Sequence, residues 1–321
     1  MLILSDDSST QERAPVAAGT VVAIGNFDGV HRGHQRLFEV ARSLRRPGQL
    51  LAALTFSPHP ATVLAPARAP KLITTEARKL ELLAERGVEV VRLQRFDAAF
   101  AACSPEDFVD QVLVEGLHAK AVVVGYDFTF GRNRAGTTAV LSSLCAARGI
   151  RVEVVGPVSV DGVVASSTEV RRLFAAGEIE AARKILGRAP ELEGVVVPGA
   201  KRGRELGFPT ANVRPDTELG PATGIYAGWA QRPGTAPRPA AISVGTNPTF
   251  GSGHQISVEA YLLDFNGDLY DQPLRIYFGR RLRGEQKFDS VAALVDQIQR
   301  DVDQTRAYCA ANTPTEADGP R

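Results

Sequence analysis

Val21-Val22-Ala23-Ile24-Gly25-Asn26-Phe27-Asp28-Gly29-Val30-His31-Arg32-Gly33-His34 is the stretch on which the reading of this chain turns. An apolar run ends on a glycine, a polar turn follows, and a helical pattern runs over 34–46, which is a strand feeding a helix. Glycines let backbone approach a phosphate, and the first turn of a helix offers N–H groups that the helix itself leaves unbonded. His-x-x-His sets two imidazoles about one helical turn apart. The stretch therefore suits an anion that gains charge during a reaction. Gly25, Asn26, Phe27, Asp28 and Gly29 are the candidates to hold it, and His31 and His34 the candidate catalytic groups. A capped strand–helix turn would be spelled the same way, and two such histidines can ligate a metal, although no third ligand is spaced nearby. Neither the Walker A nor the Gly-x-Gly-x-x-Gly pattern occurs.

Around this stretch the first half alternates short apolar and longer amphipathic runs, the pattern of a Rossmann-like α/β domain with a parallel sheet. Strands are expected over 21–25, 50–56, 88–93, 121–125 and 151–155, with helices over 34–46, 75–86, 105–117 and 138–148 between them. Two short helices are expected over 167–176 and 178–186. From Glu191 the writing changes to short β-rich runs broken by Gly, Pro and Asn, over 193–198, 210–213, 224–230, 240–244, 255–262 and 273–283. That is a small antiparallel β-barrel, closed by a C-terminal helix over 290–303. The expected domains are 15–187 and 188–308, and residues 1–14 and 310–321 read as frayed tails.

With 321 residues the chain is long enough for two cores. Lys and Arg number 37 against 36 Asp and Glu, a net charge of +1, so the basic excess of a nucleic-acid binder is missing and no such partner is expected. Cys103, Cys145 and Cys309 lack disulfide or zinc spacing, as expected in a reducing cytoplasm. No run reaches the ~18–20 apolar residues that span a bilayer, and the short apolar start is a poor signal peptide.

Two further stretches carry chemistry. Ser166-Ser167-Thr168-Glu169-Val170-Arg171 is a capping-box spelling, and the hydroxyls of Ser167 and Thr168, with Arg171 one turn in, also suit a di- or triphosphate. Gly199-Ala200-Lys201-Arg202-Gly203 is a basic, glycine-rich loop in which Gly199, Lys201 and Gly203 can cradle phosphates, though a charged hairpin would read alike. Beyond it Thr210 and Asn212 stand two apart on a strand and share a face, where a hydroxyl and an amide oxygen suit Mg²⁺. Asp264, Asp268 and Asp271 surround Asn266-Gly267, a hairpin signal, and read as turn residues rather than metal ligands.

The stretch over 25–34, Phe56-Ser57-Pro58-His59-Pro60, Gly125–Gly136 (GYDFTFGRNRAG) and the Ser166–Arg171 run together resemble the adenylyltransferase half of bacterial bifunctional FAD synthetases, over 20–186. The second half resembles riboflavin kinases over 190–303, through Gly207-Phe208-Pro209-Thr210-Ala211-Asn212, 224–228, 243–250, Val258-Glu259-Ala260-Tyr261 and 283–288. The resemblance implies phosphorylation of riboflavin to FMN, then adenylylation of FMN to FAD, with ATP as co-substrate of both and Mg²⁺ as cofactor. It implies that His31 and His34 stabilise the α-phosphate of ATP and that Ser167, Thr168 and Arg171 hold the departing pyrophosphate. Asp127, Phe128, Phe130 and Arg134 would line the flavin side. In the second half Thr210 and Asn212 would bind Mg²⁺, Glu259 would be the general base, and Arg283 would flank the flavin. Many members of the family carry a basic residue two positions before the Ser-Ser-Thr run, where this chain has Val164. A non-catalytic flavin-binding regulator, or another nucleotidyl acceptor for the first domain, remain open at this point.

Overall fold

Period-two alternation along the first strands sends side chains to two faces, and each face has its own core. The computed structural model of the chain describes residues 1–5, 16, 18–199, 202–247 and 255–314. It falls into two compact units, Met1–Pro70 with Glu76–Ala165, and Lys71–Thr75 with Ser166–Arg321.

The first unit is built on strands β1 (Leu2–Leu4), β2 (Thr20–Ile24), β3 (Leu50–Ser57), β4 (Val90–Arg95), β5 (Ala119–Gly125) and β6 (Arg151–Val155). They form one parallel sheet in the order β1-β4-β3-β2-β5-β6. Val21, Ala23, Leu51, Ala53, Val91 and Val123 pack on Leu37, Phe38 and Ala41 of α1 (Arg32–Leu44) and on Leu82 and Leu83 of α2 (Glu76–Glu85). Val22, Ile24, Leu54, Val90, Val122 and Val124 pack instead on Phe108, Val109, Val112 and Leu113 and on Leu141 and Cys145 of α3 (Thr138–Ala146). From β2 the chain winds outward through β3 and β4, then returns to place β5 on the other side of β2. The strand order therefore reverses between β2 and β5, and the loops leaving their carboxyl ends open onto that switch point, where α/β sheets bind ligands.

Three expectations need correction. Residues 2–4, taken as part of a frayed tail, form an edge strand paired with Val90–Arg92. That pairing is set by residues far along the chain, which local composition does not reveal. The helix expected over 105–117 is a short turn, Pro105–Asp107, running into a π-wound segment, Phe108–Glu115. Asn266-Gly267 is not the turn of a hairpin: it joins two barrel strands that are not neighbours, as follows from the order below. Asp264 and Asp271 take the left-handed positions there, with φ of 54° and 60°.

The second unit holds α4 (Ser167–Ala175), α5 (Ile179–Leu186) and strands β7 (Glu191–Val197), β8 (Ala211–Pro215), β9 (Gly224–Gln231), β10 (Arg238–Asn247), β11 (Gln255–Leu262) and β12 (Pro273–Arg283). The strands close into an antiparallel barrel in the order β8-β11-β10-β9-β12-β7, so β11 and β12 are not paired. Phe174 of α4 meets Phe278 of β12 edge-on with centroids 5.4 Å apart, which ties the two short helices to the barrel. The C-terminal helix α6 (Val291–Ala311) runs further than the sequence suggested, because Val302, Thr305 and Cys309 bury against the barrel.

Candidate active sites

In the first unit the loop from β2 into α1 is tightly folded. Phe27 and Val30 have φ of 51° and 42°, and a β-branched valine with positive φ is strained backbone that its surroundings must impose. Here Phe27 is fully buried against Phe38, and Gln35 Nε2 donates to the Val30 carbonyl at 2.8 Å. Gly29, with φ of 79°, takes its left-handed position without cost. Asn26 is exposed and Gly25 half-buried, while Asp28 is 4% exposed. His31 is the N-cap of α1, yet its side chain makes no capping hydrogen bond, and the first turn carries no acidic residue. The positive end of this 13-residue helix therefore has no acidic side chain in its own first turn and suits an anion.

The His31 and His34 rings stack with centroids 3.7 Å apart, and Phe27 stands edge-on to His34 at 5.2 Å. Gly33 makes room for this: a Cβ there would lie 3.0 Å from His31 Cε1 and 3.1 Å from the Ala165 carbonyl. Burial, and then the charge of His31, push the pKa of His34 well below 6.5. Two stacked imidazolium rings repel, so an anion must be present before both carry charge. The shift has a consequence for stability. Unfolded, His34 takes up a proton near ~6.5, while folded it does so only at lower pH. Stability is fully present above that value and falls as the pH drops below it. His34→Gln is expected to flatten this decline between about pH 6.5 and pH 5.5, as measured by urea unfolding followed by circular dichroism.

The loop over 125–136 leaves β5 at the same sheet edge. Asp127 and Arg134 are exposed, and Phe128 lies half-buried against Phe130, their rings 5.5 Å apart and nearly parallel. Phe130 itself is 8% exposed and packs on Phe108, so the ring is part of the core as much as of any surface. A Cβ at Gly136 would come within 2.5 Å of it. His59 caps a short helix by accepting from the Ala61 N–H at 3.2 Å. Val164 is exposed, in a two-residue strand of a small hairpin.

Ser167, Thr168 and Arg171 lie on α4, in the second compact unit. Ser166 caps this helix by accepting from the Glu169 N–H at 3.2 Å, so the capping-box reading is realised. Glu169 pairs with Arg172 at 2.8 Å, which holds its carboxyl below the ordinary range. Arg171 donates Nε to the Lys71 carbonyl at 2.8 Å.

On the barrel, Ala211 and Val213 of β8 and Val258 and Ala260 of β11 face inward, leaving Asn212 and Glu259 on the outer face. Asn212 and Glu259 are direct cross-strand partners, and Thr210 donates its hydroxyl to Glu259 Oε2 at 3.1 Å. The three residues singled out from sequence thus stand together. Gly199 lies against them: a Cβ there would fall 2.2 Å from Asn212 Nδ2. At Gly203 a Cβ would meet the Phe208 carbonyl at 2.4 Å. Lys201 and the 248–250 end of the 243–250 motif lie outside the described residues. Arg283 pairs with Asp301 of α6 at 2.7 Å, and its guanidinium sits 5.8 Å over the Phe288 ring. Among the described residues no cluster of three or more His, Cys, Asp or Glu could hold a metal alone. The oxygens of Thr210 and Asn212 do fit a hard cation that also takes ligands from phosphates.

A reversing parallel sheet with a stacked histidine pair at the start of a helix, and a closed barrel with a Thr–Asn–Glu cluster, fit a chain of two nucleotide-dependent transferase modules. Family models agree: FAD synthetase matches residues 14–169 and riboflavin kinase matches 186–309. The chain belongs to the bifunctional riboflavin kinase/FMN adenylyltransferase family. Relatives of that description include one from Listeria monocytogenes, 37% identical over 90% of this chain and 92% of its own. One from Pseudomonas fluorescens is 38% identical, with 92% of this chain and 95% of its own covered. A crystal structure from Streptococcus pneumoniae, described as a macrolide-efflux protein, is 32% identical with a TM-score of 0.82, covering 95% of this chain and 99% of that one. Efflux is a description of that protein; among the described residues of this chain no helix is long and apolar enough to cross a membrane.

Proposed function

We infer that the chain makes FMN and then FAD: riboflavin and ATP give FMN and ADP, and FMN and ATP give FAD and pyrophosphate. The observation that carries this is that the two matched family patterns fall on two separately built polar clusters, the stacked histidines at 3.7 Å and the Thr210–Glu259 pair at 3.1 Å. Functionally we assign 15–187 to adenylyl transfer and 188–308 to the kinase.

In the kinase the terminal ribityl hydroxyl of riboflavin attacks the γ-phosphorus as the bond to the β-phosphate oxygen breaks and ADP leaves. One oxygen of Glu259 is held by Thr210, and its other oxygen is the one to take the hydroxyl proton. Thr210 and Asn212 would hold Mg²⁺, which offsets charge on the ATP phosphates. Gly199 and Gly203 bring backbone close to those phosphates, with Lys201 supplying a cation and Arg283 the flavin flank. Gly199→Ala must turn Asn212 aside, and is expected to slow riboflavin phosphorylation at least about 10-fold while raising the Mg²⁺ needed for half-maximal rate. A Mg²⁺ titration of the variant checks this.

In adenylyl transfer a phosphate oxygen of FMN attacks the α-phosphorus in line, and the bond to the departing pyrophosphate breaks. This needs placed charge rather than a covalent intermediate. Residues 25–29 and the first turn of α1 cradle ATP, His31 and His34 meet the charge that builds on the α-phosphate, and Ser167, Thr168 and Arg171 hold pyrophosphate. Asp127, Phe128, Phe130 and Arg134 form the flavin side. We place the protein in the cytoplasm, where its substrates are small molecules.

The test is to incubate the protein with riboflavin, ATP and Mg²⁺ and to separate the flavins by chromatography over time. FMN followed by FAD is expected; FMN alone would remove the flavin from the first site, and unchanged riboflavin would leave a binding protein only.

A further inference from the structure

Lys79 stands where a lysine costs stability. Helix α2 buries one stripe, Arg78, Lys79, Leu82 and Leu83, and the two leucines belong to the apolar cluster beneath α1. Lys79 is 9% exposed, and its ammonium meets only neutral oxygens, Thr55 Oγ1 at 3.4 Å and the Phe56 carbonyl at 3.3 Å. Among the described residues no carboxylate lies within ion-pair distance of it. Burial pushes its pKa down, against the pull of Glu76 on its own helix and Asp28 on the loop. A desolvated cation without a paired anion destabilises a fold, and an apolar chain of similar shape would suit the position better.

Its neighbours supply a reason to keep it. Thr55 Oγ1, which accepts from Lys79, donates in turn to the Asn26 carbonyl at 3.1 Å. A hydroxyl that accepts from a cation becomes a stronger donor. The chain of bonds ends on the loop whose Phe27 and Val30 hold strained φ values, and it braces the start of that loop as Gln35 braces its end. We propose that Lys79 is a positioning residue for adenylyl transfer, acting through Thr55 to fix Asn26 and so the loop that presents Asp28, Gly29 and the histidine pair. The role rests on the reading of the first unit as the FMN adenylyltransferase.

The test uses the full chain with FMN and ATP supplied, and riboflavin phosphorylation as an internal control. Lys79→Met should lower kcat for FAD formation by up to about 100-fold, with KM for FMN little changed, because a small misplacement of reacting groups is enough. The kinase rate should hold and the urea midpoint should stay equal or rise, which loss of a merely structural residue would not give. Thr55→Val should lower kcat alike, and the double variant should be no slower than the worse single one. Lys79→Met at full kcat would overturn the role, as would additive losses in the double variant or a lowered urea midpoint. If the unaltered protein makes no FAD from FMN, the functional reading fails and this role with it.

Discussion

Replacing Glu259 by glutamine is expected to slow riboflavin phosphorylation by at least about 100-fold, while FMN supplied from outside is still converted to FAD at the normal rate. The size follows from the chemistry, since a positioned base contributes about 10²–10⁴-fold when a proton must leave the attacking hydroxyl. The selectivity follows from placement. Glu259 lies on the outer face of β11, between inward-facing Val258 and Ala260, so the barrel core is untouched by the change. Glutamine still accepts the Thr210 hydroxyl that now reaches Oε2 at 3.1 Å, so shape survives and only basicity is lost. Trp229, the chain's one tryptophan, is buried in the same barrel and reports by its fluorescence that the unit remains folded. Chromatography of the two half-reactions decides the matter. Loss of both activities would sink the separate-site arrangement, and FMN formation at the normal rate would remove Glu259 as the base.

Much of this was legible because the deciding signals are local. The strand that ends just before Gly25 and the helix that follows are read from periodicity, and Gly29 and Gly33 are where backbone conformation and ring stacking demand glycine. Thr210 and Asn212 share a face because strands alternate, and that rule brought them to Glu259 across the β8–β11 pair. What stayed hidden is set by residues distant in sequence. Strand β1 exists because Val90–Arg92 offers it an edge. Asn266-Gly267 spells a tight turn, but local propensity does not choose which strands pair around the barrel. Lys79 reads as one charge among many on an amphipathic helix, and only the position of α2 against the sheet turns it into a buried cation. The one available signal was a lysine three and four residues before the leucines of the buried stripe, a place where an apolar residue belongs.

Replacing His31 by alanine is expected to leave FMN formation intact and let FMN accumulate, because adenylyl transfer should slow by about 10²–10³-fold. That is the range for removing one donor aimed at charge that develops only in the transition state, so kcat should fall more than KM for ATP rises. The geometry argues against a mere structural loss. His31 makes no side-chain cap on α1, so the helix does not depend on it for an end. Its ring is stacked at 3.7 Å on His34, whose proton affinity is low in the absence of an anion. A triphosphate beside the pair would reverse that balance by favouring the charged ring, so the proposed site would gain positive charge only as its substrate brings negative charge. Alanine at 31 removes one ring and the support of the other, and His34→Ala should therefore reach a similar rate, with the double variant little slower than either. Rates of FAD formation from supplied FMN across the three variants test the pair as a unit. Normal FAD production by His31→Ala would show that the α-phosphate is stabilised elsewhere, and additive losses would show that the two rings act independently.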